Sequence, residues 1–167
     1  MQIETHWHLV KILFRKAFSS SFHYSIASVN EDGKPHITPI GSLILGEPGH
    51  AIYFEEFTSQ LPNNIKSNKY ISVLAVNSSK WFWLISLIKG KFIEPPAIRL
   101  NGEAGALREA TLLEVNLWHK RVKSVSFTKG HKIMWQRMGK VREIEFTSIE
   151  PVHIGLMTIN SKTNKNP

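Results

Sequence analysis

At Phe22 the apolar periodicity of this chain switches from helical to alternating, and that switch most narrows what it can fold into. Before it, Ile3, Trp7, Val10, Leu13 or Phe14, and Ala17 recur at three- and four-residue steps. This spacing predicts one apolar helical stripe over residues 3–18, ended by Ser19-Ser20-Ser21. After it, Phe22, Tyr24, Ile26 and Ser28 point one way from an extended strand, and His23, Ser25, Ala27 and Val29 the other. The turn Asn30-Glu31-Asp32-Gly33-Lys34 sends the chain back through His36, Thr38, Ile40 and Ser42. Pro35 and Pro39 lack backbone N–H groups, so the second strand belongs at a sheet edge or beside a bulge.

The same grammar continues. Gly46-Glu47-Pro48-Gly49 makes a turn and Ala51–Phe54 a third strand. Leu61–Asn68 reads as a short helix with Pro62 in its first turn, and Tyr70–Val76 as a β-branched strand. Lys80–Phe92 fits either a strand or a helix, and Pro95-Pro96 closes it. A strand over 97–104 follows. Thr111-Leu112-Leu113-Glu114 is a capping box opening a helix to about Val122, with Leu113, Leu117 and Arg121 spaced as one face. Val141–Ile154 supplies a last strand. About six hairpin-linked strands with two or three helices, and no βαβ rhythm, favour a mainly β closed or split barrel.

Composition sets the outer bounds. The 167 residues, 42% apolar and 20% charged, fit a single globular domain over 1–159, with a polar, disordered tail at 160–167. The absence of cysteine excludes disulfides, thiol catalysis and thiolate metal sites. His6, His8, Lys11, Arg15 and Lys16 interrupt any secretory apolar segment. The longest apolar patch, Trp81–Ile88, falls far short of the roughly 20 residues a spanning helix needs. A soluble, cytoplasmic protein without membrane contact is therefore expected.

The net charge of +8 is concentrated. Residues 119–142 hold Lys120, Arg121, Lys123, Lys129, Lys132, Arg137, Lys140 and Arg142 with no acid. Such a patch can meet nucleic acid, an anionic membrane or a phosphate group, or simply be a solvated face. It matches no RNA-binding signature. No HExxH, P-loop, GxGxxG or Ser-His-Asp arrangement is present, and the histidines have no zinc spacing.

One segment carries chemistry by its order. Pro39-Ile40-Gly41, then Tyr53-Phe54-Glu55, then Phe57-Thr58-Ser59-Gln60-Leu61-Pro62-Asn63-Asn64-Ile65 place a hairpin, a strand and a polar turn before a helix. Over roughly residues 20–155 the chain resembles the FMN-binding split-barrel family related to pyridoxamine 5′-phosphate oxidase. The resemblance implies a Greek-key six-stranded barrel. It also implies a homodimer with FMN at the shared interface and flavin-mediated hydride or electron transfer to a small molecule. By that resemblance Pro39, Ile40 and Gly41 flank the flavin ring. Tyr53, Phe54 and Glu55 lead to Thr58 and Ser59 at the phosphate, with Gln60, Asn64 and Lys66 beside them. Trp83 and Lys91 lie near the interface, and Lys132 in a basic loop that could close over an anion.

The phosphate turn departs from the family. Gln60, Leu61 and Asn63 stand where Arg or Lys is usual, so either another segment supplies the charge, with Lys89, Lys91, Arg99, Lys129 and Lys132 as candidates, or FMN is held poorly. Alternatively, Thr58-Ser59 is only a helix cap. A haem-handling relative using His131 or His153, a deazaflavin-dependent reductase, and a non-enzymatic protein binding through 119–142 are the competing readings.

Overall fold

The computed structural model describes residues 1–56, 58–123, 126–130, 133 and 138–158. Lys132 and His131, both named above, lie outside the described residues, as does the tail. The order of elements is α1 (Ile3–Ser21), β1 (Tyr24–Val29), β2 (Pro35–Ile40), β3 (Ile44–Leu45), β4 (His50–Phe54), α2 (Gln60–Ser67), β5 (Tyr70–Val76), α3 (Lys80–Lys89), β6 (Ala97–Glu109), α4 (Leu112–Val122) and β7 (Lys140–Pro151).

The seven strands form one antiparallel sheet in the order β2-β1-β5-β6-β7-β4-β3. Its ends, β2 and β3, do not pair among the described residues, so this is a split barrel with an open seam. The strand beyond the expected six is β3, two residues long and too short to show a period. The proline-bearing strand β2 lies at the sheet edge, where its missing donors leave no partner unsatisfied.

Helix α1 lays Trp7, Val10, Leu13, Phe14 and Ala17 onto the sheet, each large side chain stabilising by about 1.5–3 kcal/mol. It runs through the three serines rather than ending before them. Their hydroxyls donate back to the carbonyls of Arg15 and Ala17 at 2.8–3.1 Å, which keeps them compatible with helix. Phe22, expected to begin the strand, instead caps the helix in the left-handed conformation at φ 62°.

The ambiguous segment is a helix because both its ends are capped. The Ser79 hydroxyl accepts from the Phe82 N–H, and Gly90 at φ 62° donates to the carbonyls of Leu87 and Ser86.

Helix α4 begins at the expected capping box, with both reciprocal hydrogen bonds made. Arg108 grips the same Glu114 through two bonds of 2.7 and 2.9 Å. The Arg108 guanidinium, with help from Thr111, holds the Glu114 carboxyl down at about 2. The buried side of α4 is Val115, Trp118 and Val122, whereas Leu113 and Leu117 are exposed. Both stripes satisfy helical spacing, and the sheet below, not the sequence, selects between them.

Two apolar clusters result. The larger joins α1 to the inner face of the sheet, and a smaller one packs Trp118 and Val122 against Phe54, Val141 and Met138.

Candidate functional site

Where the two clusters meet, the fold leaves a cavity of about 740 Å³, within the size range of small-molecule sites. Its walls are apolar: Phe18, Phe22, Ile40, Phe54, Leu61 and Trp118. Among the described residues its polar groups come from His36 and Thr38 on β2, Ser42, Thr58 to Gln60 before and in α2, and Arg121 on α4.

Local structure explains the shape of the β2 wall. His36, Thr38 and Ile40 alternate inward, while Ile37 is 68% exposed. The chain then leaves the strand at Gly41, where a Cβ would sit 3.1 Å from the Phe22 carbonyl oxygen. A side chain there would push the β2 end away from the α1 cap, widening one wall of the cavity. Ser42 ties the opposite wall, donating to the Phe54 carbonyl and accepting from its N–H.

The turn before α2 holds two hydroxyls without a hydrogen-bond partner among the described residues. Ser59 occupies the N-cap position of α2, yet its side chain makes no capping hydrogen bond. The Thr58 hydroxyl is buried and has no hydrogen-bond partner among the described residues. A purely capping role for this pair is therefore not what the geometry displays.

Among the described residues, the Lys or Arg side chain in the lining of this cavity is Arg121. Its guanidinium stacks on the Phe18 ring at 4.9 Å and donates to the Leu43 carbonyl at 2.5 Å. No carboxylate pairs with it among the described residues. Burial pulls its pKa below the ordinary arginine value, against the pull of neighbouring Tyr24. A desolvated guanidinium without a carboxylate is a ready partner for an anion.

Seven of the expected site residues line this one cavity: Pro39, Ile40, Gly41, Phe54, Thr58, Ser59 and Gln60. The other described ones, six residues, lie elsewhere. Tyr53 is fully buried, and its hydroxyl donates to Glu55 at 2.5 Å. Glu55 forms a buried two-pronged ion pair with Arg142, whose pKa rises in consequence. The Asn64 side chain donates to Ser28 and accepts from Gln60, both at 2.9 Å. Lys66 is exposed in the last turn of α2. Trp83 donates to the Asn77 carbonyl and packs edge-on to Phe92, and Lys91 follows α3; neither lines the cavity.

None of the described cations proposed to replace the basic turn reaches it. Lys89, Lys91 and Lys129 do not line the cavity, and Arg99 pairs with Glu150. The sequence placed Arg121 within the basic patch and on a helix face, without connecting it to the phosphate turn. No local signal could have done so, because 61 positions separate Arg121 from Gln60. The patch itself is split by the fold: Arg121 and Arg142 turn inward, while Lys120, Lys123 and Lys129 are exposed. For the haem reading, His153 is exposed and does not line the cavity, His131 is outside the described residues, and His36 is the one described histidine in the lining. Among the described residues no cluster of three or more potential metal ligands occurs, and no helix is long and apolar enough to cross a membrane.

The comparisons agree with this architecture. The family model described as pyridoxamine 5′-phosphate oxidase matches residues 13–153. No curated protein matches the chain in sequence. Among solved structures, an FMN-binding protein from Syntrophomonas wolfei is similar with a TM-score of 0.55 and 13% identity, over 89% of this chain and 93% of that one. An F420 reductase reaches a TM-score of 0.54 at 9% identity, over 83% and 97% of the two chains. HutZ, the haem storage protein from Vibrio cholerae, reaches 0.52 at 13% identity, over 94% and 99%. At these identities the likeness is one of fold.

Proposed function

Since the chain belongs to the pyridoxamine 5′-phosphate oxidase family, we propose that its cavity holds FMN and that the protein is a flavin-dependent oxidoreductase acting on a small molecule. The observation that carries this reading is the presence, in the lining of one apolar cavity, of two hydroxyls and a guanidinium that have, among the described residues, no hydrogen-bond partner and no carboxylate respectively. The residues fit the group. Aromatic and aliphatic walls suit a planar ring, and Thr58, Ser59 and Arg121 suit its phosphate.

When bound, FMN supplies the hydride or electron transfer. The chain's own residues do the rest. Pro39, Ile40 and Gly41 border the ring, and Pro39 offers no backbone donor there. Phe18 and Trp118 keep water from it. Arg121 takes the place of the cations missing from the phosphate turn. Tyr53, Glu55 and Arg142 act at one remove by fixing the end of β4 that leads into that turn. A homodimer belongs to the same reading, supported by the exposed Leu113 and Leu117 on α4, which a second subunit can cover. So does the cytoplasmic location expected from the sequence.

The test is the visible spectrum of the purified protein, repeated after adding FMN. Paired flavin bands are expected. A single intense haem band would overturn the assignment in favour of the haem reading, which His36 in the cavity lining and the fold shared with HutZ make the second one. A spectrum matched only by a deazaflavin would replace the cofactor while keeping the site.

Two variants probe the phosphate end. Ser59→Glu places a carboxylate against the phosphate and is expected to abolish FMN retention while the urea midpoint stays put; undiminished retention would sink the assignment. Arg121→Gln is expected to weaken FMN by about tenfold or more, the scale of one charge-assisted hydrogen bond. Riboflavin, which lacks the phosphate, should be affected little. Equal losses for both ligands would reduce Arg121 to part of the wall.

A further inference from the structure

The longest apolar run of the chain folds as α3 and keeps much of its surface in solvent. Trp81, Leu84, Ile85 and Ile88 stand at positions i, i+3, i+4 and i+7 and are 74, 47, 43 and 77% exposed. They form one continuous stripe, with Leu87 beside it. The opposite side is apolar too. Phe82 and Trp83 pack on Phe92, and the polar Ser86 is buried with its hydroxyl donated to the Phe82 carbonyl. A helix apolar on all sides is stable only between two apolar surroundings, and the protein supplies one of them.

The rim identifies the other. Lys80 and Lys89 close the two ends of α3, and Lys91 follows immediately. Arg15 joins them from α1 across a cleft that also contains Asn77 and Ser79. None of these four cations has an ion-pair partner among the described residues. Glu94, the first carboxylate after α3, is already held by Lys16 at 2.6 Å. In a two-fold contact with a second copy the same patch faces itself, so cations would meet cations. An apolar stripe with an indole at one end and an unpaired cationic rim is instead complementary to the boundary layer of an anionic bilayer.

We propose that α3 is a membrane-docking helix, seating its Trp81–Ile88 stripe in the interface of an anionic lipid surface. This stands apart from the flavin reading, since none of the stripe or rim residues lines the cavity. The sequence-based expectation of no membrane contact rested on the length needed to span, which says nothing of a helix lying in the interface plane.

Flotation of the full chain with vesicles tests it. Phosphatidylcholine vesicles containing about a third phosphatidylglycerol should carry the protein, and pure phosphatidylcholine vesicles should not. Salt at ~1 M, where the screening length is ~3 Å, should release much of it. The double variant Leu84→Ser/Ile88→Ser should lose at least about tenfold in binding with its urea midpoint unchanged. Lys80→Glu/Lys89→Glu should erase the preference for anionic lipid. No flotation on either vesicle, or flotation indifferent to the Leu84/Ile88 change, overturns the proposal. So does a Leu84/Ile88 variant that merely changes the light-scattering mass, which would assign the stripe to a second copy.

Discussion

Arg142→Ala is expected to destabilise the fold by about 3–5 kcal/mol, the usual consequence of stranding one member of a buried ion pair. The side chains of Arg142 and Glu55 are 11 and 4% exposed, so solvent cannot take over the abandoned carboxylate. The loss spreads beyond the pair. Tyr53 donates to the same carboxylate, and the second guanidinium arm binds the Gly105 carbonyl at 3.0 Å, linking β4, β6 and β7. Urea unfolding measures it. Arg142→Met combined with Glu55→Gln should recover a good part of the loss, because the uncompensated charge is gone. A single variant with an unchanged midpoint would mean that the pair is relaxed by water in solution. Since Glu55 begins the segment leading to Thr58 and Ser59, flavin retention should fall together with stability and not independently of it.

Gly102→Ala is the other large effect, expected at about 3 kcal/mol or more, the upper end of overpacking costs. A Cβ there would lie 2.1 Å from the Glu145 carbonyl oxygen and 2.7 Å from the Phe146 Cα, both backbone atoms with no freedom to yield. The register explains the squeeze. Asn101 pairs with Ser148 but Gly102 with Phe146, so a bulge presses β7 onto β6 at this position. Three residues along the same strand, Gly105 would meet nothing closer than 3.4 Å, and Gly105→Ala should cost under about 1 kcal/mol. Comparable midpoints for the two variants would show that the bulge is not as tight as described.

The contrast between these glycines shows how far the sequence reaches. Both read alike in a strand of alternating residues, and only the partner strand distinguishes them. The same holds for α4. Its capping box was legible because its bonds are local, three residues apart. Which stripe it buries was not, because Val115-Trp118-Val122 and Leu113-Leu117-Arg121 are equally helical. The cavity divides in the same manner. Pro39 to Gly41 and Thr58 to Gln60 could be named from a pattern of neighbours in sequence, and they do share a cavity. Arg121 could not, and the described lysines named in its stead, Lys89, Lys91 and Lys129, do not line it.

What the sequence by itself determined is the local layer: alternation that makes strands, turns that make hairpins, caps that start helices, and prolines that send β2 to an edge. These depend on interactions within a few residues, whose energies are written directly in residue order. What only the tertiary structure decided is the nonlocal layer. It turned Arg142 inward to Glu55, put Arg121 into the lining of one cavity with hydroxyls distant in sequence, and left one side of α3 exposed. The physical reason is that burial and charge pairing depend on distance in space, which the ladder of seven strands fixes and the linear order does not.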